Sequence, residues 1–373
     1  MRTLILSATA GQGHNSCAAA IREAFEAHGD VCVVEDAFAL ISKKLSQSIA
    51  RNHEKQYREA PQLSNASYRF MEKHPALFAR KNIVYQVMSI GKKQISRCIR
   101  EGGYDTVICT HVLAAMMLTA AMQHEDLNVK SAFIATDYSC SPGINGTALD
   151  RYFIPHASIA SAFIAADVKP ESIVTSGIPV RSAFAPLDDK TDAKTAFGIQ
   201  PGHKHLLMMC GSMGCGPIPQ LLSLIAPSMP ENWEITVVCG TNAELYETLK
   251  EAHGSDARIH IRSYEREMPL LLASADLYLT KPGGLSTAEA AAAAIPMVLI
   301  DAVAGCEAHN MRFFLSCGGA VTADDPQQLG ELCLSLLRDP AQRREMSARL
   351  RAVSKPDAAE VVRAVMESAC AAV

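Results

Sequence analysis

The 373-residue chain contains no uninterrupted apolar run of about 18 residues, so no transmembrane helix is expected. The opening MRTLILSATAGQGH has too short an apolar stretch for a secretory leader, and no small-residue cleavage site follows it. Synthesis and residence in the cytosol are therefore expected. No CxxC pair occurs among the twelve cysteines. Several of them, such as Cys32, Cys109 and Cys239, lie in apolar strand-like runs, where a thiol acts as a small hydrophobe. Reduced structural thiols are expected rather than disulfides or zinc ligands. No metal-ligand cluster stands out. Acidic residues are scarce in one segment. Residues 41–100 hold 13 Lys or Arg against Glu54, Glu59 and Glu72, a balance near +10 in a chain whose formal net charge is −4. That segment reads either as a solvated helical face or as a surface for an anionic partner, membrane or nucleic acid.

About half the residues are apolar and a fifth charged, ordinary for a globular protein, and the length suggests two domains. Residues 2–7 predict a buried strand, a glycine turn follows, and a helix is expected over about 16–28, then a strand at 31–34. Further strands are predicted at 106–109, 131–135, 151–154 and 173–176. This order implies a parallel sheet with crossover helices. The basic segment lacks strand signals. It mixes its charges with apolar positions, among them Ile41, Leu45, Ile49, Tyr57, Tyr68, Phe70, Leu77, Phe78, Ile83, Val84, Tyr85, Val87, Met88 and Ile90. Two or three helices are expected there, with faces that pack on the sheet or lie in a membrane interface. Residues 1–184 are read as one domain, the polar stretch 185–203 as a linker, and 204–350 as a second domain. Residues 351–373 are read as a terminal helix able to pack back on the first. The second domain repeats the pattern, with strands at 205–210, 234–239, 258–261, 277–280 and 296–300 and helices at 218–225, 243–253, 268–273 and 286–293. Ligands in such sheets bind at the carboxyl ends of the strands, and a cleft between the two domains is the expected site.

Four motifs occupy such ends. Gly11-Gln12-Gly13-His14 joins the first strand to its helix. The glycines permit close ligand approach, and the helix start offers free N–H groups. The third glycine of a dinucleotide fingerprint is missing, because Ser16 and Cys17 follow. His14 suits a general base, or a structural residue bonding the turn. The loop Gly211-Ser212-Met213-Gly214-Cys215-Gly216 can cradle a diphosphate through its N–H groups or serve as a plain turn. Without the Lys-Ser/Thr of a P-loop, nucleotide hydrolysis is not expected. In Lys281-Pro282-Gly283-Gly284-Leu285-Ser286-Thr287-Ala288-Glu289, a glycine turn precedes a helix. Glu289, expected in the first helical turn, can bind ribose hydroxyls or cap the helix. Gly305-Cys306-Glu307-Ala308-His309-Asn310 is expected as a loop placing an acid and an amide beside the same sheet edge.

In this order, the blocks at 7–21, 136–138 (TDY), 177–181 (GIPVR), 281–290 and 305–310 resemble the UDP-sugar-dependent glycosyltransferases of the monogalactosyldiacylglycerol synthase type. That family includes the bacterial processive diacylglycerol glucosyltransferases. The chain is similar, more distantly, to the N-acetylglucosaminyltransferase that makes lipid II. The resemblance spans nearly the whole chain and implies an α/β GT-B fold of two tandem Rossmann-like domains. It implies transfer of a hexose from a UDP-sugar to a lipid acceptor, with inversion and with no metal or other cofactor. It further implies that His14 activates the acceptor and that Gly11 and Gly13 flank it. Gly211 and Ser212 would hold the diphosphate. The uracil segment would lie around Ser263, Tyr264 and Met268, and the 283–287 turn, with Gly283, Gly284, Leu285, Ser286 and Thr287, would hold the nucleotide. Glu289 would bind ribose, and Glu307 with Asn310 the donor sugar. Asp137 would assist His14 or cap its loop, although the His-x-x-Trp-like segment usual after the TD pair is replaced by Tyr138-Ser139-Cys140-Ser141-Pro142-Gly143. Partners implied are a UDP-sugar, a lipid and an anionic inner-membrane surface, without nucleic acid, for which the basic segment carries no recognised motif. The alternatives are a UDP-N-acetylglucosamine 2-epimerase-like enzyme or a non-catalytic nucleotide-sugar-binding protein.

Overall fold

A computed structural model describes the chain except residues 10–11, 60, 80–81, 215, 301–304 and 369–373, and except the side chains at 53–54, 56–59, 61–65, 83–84 and 88. Gly11, Cys215 and Cys370 therefore lie outside the described residues, as do the side chains of Tyr57, Ile83, Val84 and Met88. The chain folds as two units, one of residues 1–181, 303–309 and 355–373, the other of 182–302 and 310–354.

The first unit is built on β1 (Arg2–Ser7), β2 (Val31–Asp36), β3 (Thr106–Cys109), β4 (Lys130–Ile134), β5 (Arg151–Ile154) and β6 (Ile173–Thr175), paired in parallel in the order 2-1-3-4-5-6. Helices cover both faces, so the strands bury both sides and read as unbroken apolar runs; Leu4, Ile5 and Leu6 are all fully buried. The crossovers include α1 (Gln12–Ala27), α6 (Val112–His124) and α7 (Ala160–Ala165). Helix α1 begins four residues earlier than the sequence suggests, so Gly13 and His14 lie in its first turn rather than in the preceding loop.

The basic segment folds as α2 (Lys43–Glu59), α3 (Pro61–Lys73), a 3-10 turn at Pro75–Phe78, α4 (Ile83–Met88) and α5 (Lys92–Gly102), more helices than the two or three expected. Its apolar positions divide between buried and exposed. Phe78 and Tyr85 are buried against Met116 and Ala120 of α6, whereas Phe70, Val87 and Ile90 are 55%, 59% and 66% exposed.

In the second unit β7 (Lys204–Met209), β8 (Trp233–Val238), β9 (Ile259–Arg262), β10 (Leu277–Thr280), β11 (Met297–Leu299) and β12 (Ala320–Val321) form a parallel sheet in the order 12-11-10-7-8-9. Around it lie α8 (Thr191–Ala196), α9 (Ile218–Ile225), α10 (Ala243–His253), α11 (Met268–Ser274), α12 (Gly284–Ala292), α13 (Gly305–Ser316), α14 (Pro326–Arg338) and α15 (Pro340–Val353), with residues 305–309 of α13 counted in the first unit. The core joins Leu206, Met208, Ile235, Leu277 and Val298 of the strands to Leu222, Ile225, Leu334 and Leu337 of the helices. The stretch 185–203 is no open tether. It carries α8, whose buried Lys194 bonds Asp276 at 2.9 Å and the His203 carbonyl at 2.6 Å.

The last helix, α16 (Ala358–Ser368), packs on α1 in the first unit. Its Ala358, Val362 and Met366 are fully buried, and Arg363 bonds Asp30 at 2.9 Å. No disulfide joins the ten cysteines described. Among the described residues no helix is long and apolar enough to cross a membrane.

Candidate functional site

In the first unit the carboxyl ends of β1, β3 and β4 converge on His14. Its Nδ1 donates to the Thr110 carbonyl at 2.7 Å, and the Thr136 hydroxyl lies 3.4 Å from the same nitrogen. A ring nitrogen bonded to a carbonyl must carry the proton, so neutral His14 keeps its lone pair on Nε2. Burial lowers the pKa of His14 below the usual value. The charge of Asp137 and the Thr110 carbonyl work against that shift without cancelling it. His14 is thus neutral at pH 7, with an acid beside it that favours the cation once a proton arrives. The adjacent Asn15 is held by the Ser7 hydroxyl at 2.7 Å, which fixes the start of α1 to the end of β1. Asp36, at the end of β2, accepts bonds from the Thr9 backbone and hydroxyl and from Ser46, tying the loop after β1 to the start of the basic segment.

His111, beside His14, and Tyr68 were not singled out in sequence as site residues. His111 lies edge-on to His14, ring centroids 4.7 Å apart at 77°. The signal was available: a histidine two residues past a predicted strand, at the end of the sheet where ligands bind. Tyr68 was counted only as an apolar position of the basic segment. Burial pushes its phenol pKa up, with Cys306 and Asp137 adding to the shift. It packs so closely on Gly305 that a Cβ there would stand 2.1 Å from its ring. Nearby, His309 meets Glu72 at 3.2 Å.

In the second unit two motifs lie at the carboxyl ends of β7 and β10. The loop after β7 turns through Gly211 and Gly214, both with positive φ. Its Ser212 carbonyl accepts from the Thr241 backbone at 2.8 Å, and its Gly214 carbonyl from Asn242 at 3.1 Å. Carbonyls tied inward leave the loop suited to present N–H groups outward. The side chain of Lys281, given no separate role in sequence, lies over Gly211.

Helix α12 starts at Gly284, two residues ahead of expectation, with Gly283 as its N-cap and no side chain capping it. Glu289 is consequently the sixth residue of the helix, in its second turn, and half-buried. Leu285 is buried and Ser286 half-buried. Thr287 is fully buried and donates its hydroxyl proton to the Gly283 and Gly284 carbonyls at 2.8 and 3.1 Å, so that proton serves the helix backbone rather than a phosphate.

The segment 305–310 is not a loop. It opens α13, and Glu307 and Asn310 are 3% and 0% exposed. Helical pairing satisfies backbone groups that a loop would leave open, which lets these polar residues sit inside. Asn310 donates to the Pro282 carbonyl at 3.0 Å, anchoring the turn before α12. That bond fixes the turn. Tyr264, between β9 and α11, is exposed. Among the described residues no group of three or more His, Cys, Asp or Glu is arranged to hold a metal ion.

Comparison with known proteins agrees with this arrangement. Residues 14–180 match the family model for monogalactosyldiacylglycerol (MGDG) synthase, and residues 205–362 the model for the glycosyltransferase family 28 C-terminal domain. The chain is 26% identical to the processive diacylglycerol beta-glucosyltransferase of Bacillus mycoides, over 96% of this chain and 91% of that protein. It is also 26% identical to the enzyme of the same name from Bacillus cytotoxicus, over 98% and 93%. Among solved structures it is similar to MurG of Acinetobacter baumannii, with a TM-score of 0.63 and 16% identity over 98% of this chain and 99% of that one. It also resembles Anabaena HepE in complex with UDP, with a TM-score of 0.59 and 13% identity over 99% and 100%. With a match to the MGDG synthase model followed by one to the family 28 C-terminal domain, on two parallel six-stranded sheets, the chain is a glycosyltransferase of GT-B fold, similar along nearly its whole length to processive diacylglycerol glucosyltransferases.

Proposed function

We propose that the protein moves a hexose from a UDP-sugar to a hydroxyl of a membrane glycerolipid, diacylglycerol or a glycosyl-diacylglycerol, with inversion at the anomeric carbon. The observation that carries this reading is the bond from His14 Nδ1 to the Thr110 carbonyl. It presents Nε2 as a base at the end of the sheet where an acceptor binds. The acceptor O–H gives its proton to Nε2 as its oxygen bonds the anomeric carbon. The bond from that carbon to the diphosphate oxygen breaks, and UDP leaves with the electron pair. Asp137 stabilises the imidazolium so formed. A base of this kind contributes roughly 10²–10⁴-fold.

The second unit holds the donor in this reading. The N–H groups around Gly211 and Ser212, the start of α12 at Gly283 and Gly284, and Lys281 offset the growing charge on UDP, so the reaction as proposed calls on no metal. Glu289 takes the ribose, the Tyr264 segment the uracil, and Glu307 the sugar. The Bacillus relatives, named as diacylglycerol glucosyltransferases, and the UDP-bound Anabaena neighbour support a UDP-sugar donor and a lipid acceptor. The basic segment, with exposed Phe70, Val87 and Ile90 among its lysines and arginines, would hold the protein on the anionic inner face of the cell membrane.

The test is UDP release, with mass spectrometry of the lipid products, in vesicles given different UDP-sugars. His14→Ala should abolish transfer and leave UDP binding intact. Turnover by that variant would remove His14 from the mechanism.

A further inference from the structure

We propose that His111 is a positioning residue, a neutral wall that keeps the His14 ring in its base orientation. This deepens the reading of His14 as the base and rests on it. His111 is the N-cap of α6, and its Nδ1 accepts the Leu113 backbone N–H at 3.1 Å. Its proton therefore sits on Nε2, the opposite tautomer to His14. Its ring is edge-on to His14, and on another side Phe38 lies edge-on to it at 6.3 Å and 72°. The residue before it, Thr110, supplies the carbonyl that orients His14. One dipeptide thus sets the base from two directions, by a backbone acceptor and by a ring.

The choice of residue supports this role. Asn, Asp, Ser and Thr are the preferred N-caps, and any of them would satisfy the Leu113 N–H in less space. A histidine at this position contributes ring surface that the cap does not require. The cap occupies its Nδ1 lone pair, and protonating Nδ1 would break the bond to Leu113. When His14 gains a proton, a neutral ring stands beside it and Asp137 is the nearby charge. The Thr110 carbonyl and the Thr136 hydroxyl, which also meet the His14 ring, do not ionise.

Two substitutions separate cap from wall. His111→Asn keeps an N-cap and removes the ring, and His111→Phe keeps a ring and removes the cap. In the full-length protein on lipid vesicles, His111→Asn should lower kcat roughly 10- to 100-fold, the scale of a misplaced catalytic group. UDP affinity and the thermal midpoint should stay at their wild-type values. The acid limb of the pH–rate profile should move up toward an ordinary histidine as water reaches His14. Nitrogen-15 NMR of the imidazoles should show His14 change from one tautomer to a mixture. His111→Phe should melt earlier yet retain kcat within a few-fold. Should His111→Asn not fold, His111→Ser, another capping residue, carries the same expectations. Wild-type kcat, pH profile and His14 tautomer in the capping variants would overturn the proposal and leave His111 as a cap alone. Turnover by His14→Ala marks the different failure, that of the base itself, and removes the wall's purpose with it.

Discussion

Lys281 lies over the bare face of Gly211: a Cβ added to that glycine would stand 2.7 Å from the lysine Cε and 3.5 Å from its Nζ. Gly211 also has a φ of +73°, a conformation that costs other residues on the order of 1–3 kcal/mol. Gly211→Ala should therefore both strain the loop and push the ammonium aside. UDP affinity, measured by calorimetry, should fall at least about tenfold, the equivalent of 1.4 kcal/mol. Lys281→Met, which keeps the bulk and drops the charge, should weaken UDP by a similar factor while binding of uridine alone changes little.

The pH dependence of transfer follows from His14. In the mechanism proposed above the free base is the working form, and burial holds its pKa below the ordinary 6.5. The base persists as pH drops through 6.5, so kcat/KM should decline only at lower pH. Asp137 favours the cation, so Asp137→Asn should shift that acid limb lower still, and kcat should fall because the developing imidazolium loses its counter-charge. A limb moving upward in Asp137→Asn would contradict the assignment.

Acid sensitivity of the fold is expected from His205 in the second unit. It is fully buried between the Thr236 hydroxyl at 2.9 Å and the Ser274 hydroxyl at 3.0 Å, and burial pushes its pKa down to about 3. The unfolded chain takes up a proton near pH 6.5 and the folded one near 3, so stability is lost as pH falls across that window. The loss should be about 2 kcal/mol between pH 7 and pH 5. His205→Gln should be less stable at pH 7 and should show a flatter urea midpoint against pH.

Asn310→Leu should leave the Pro282 carbonyl without its buried donor, at a cost of about 1–3 kcal/mol. The turn carrying Gly283 and Gly284 would loosen. The expected readout is a raised KM for the UDP-sugar together with a lower thermal midpoint.

Phe70, Val87 and Ile90 already face solvent, so changing all three to Ser should leave the thermal midpoint in place. Co-sedimentation with anionic vesicles should fall more than tenfold, and the remaining binding should weaken with salt. Unchanged vesicle binding would place the membrane surface elsewhere.

The strands were legible because a parallel sheet covered on both faces demands unbroken apolar runs, as in Leu4–Leu6 and Leu206–Met208. Helix starts were harder. Gly13 and Gly284 look like turn residues, yet both sit inside the first turn of a helix, where no intrahelical partner is required of their N–H groups. The segment at 305–310 misled for a related reason. Glu307 and Asn310 are polar and so suggest a loop, but their burial depends on partners distant in sequence, such as Pro282. The place of His14 was readable from its position after β1. Its tautomer was not, because that depends on Thr110, 96 residues away.

The terminal helix α16 fills a gap in the core of the first unit with Val362 and Met366, residues synthesised after every strand of the second. On the ribosome the second unit thus has all its sequence in hand before the first does. The unit bearing His14 stays partly open along α1 until α16 has been made. A chain stopped at residue 354 would carry the complete second unit and an incomplete first one, leaving the apolar surface that α16 covers exposed and prone to aggregate.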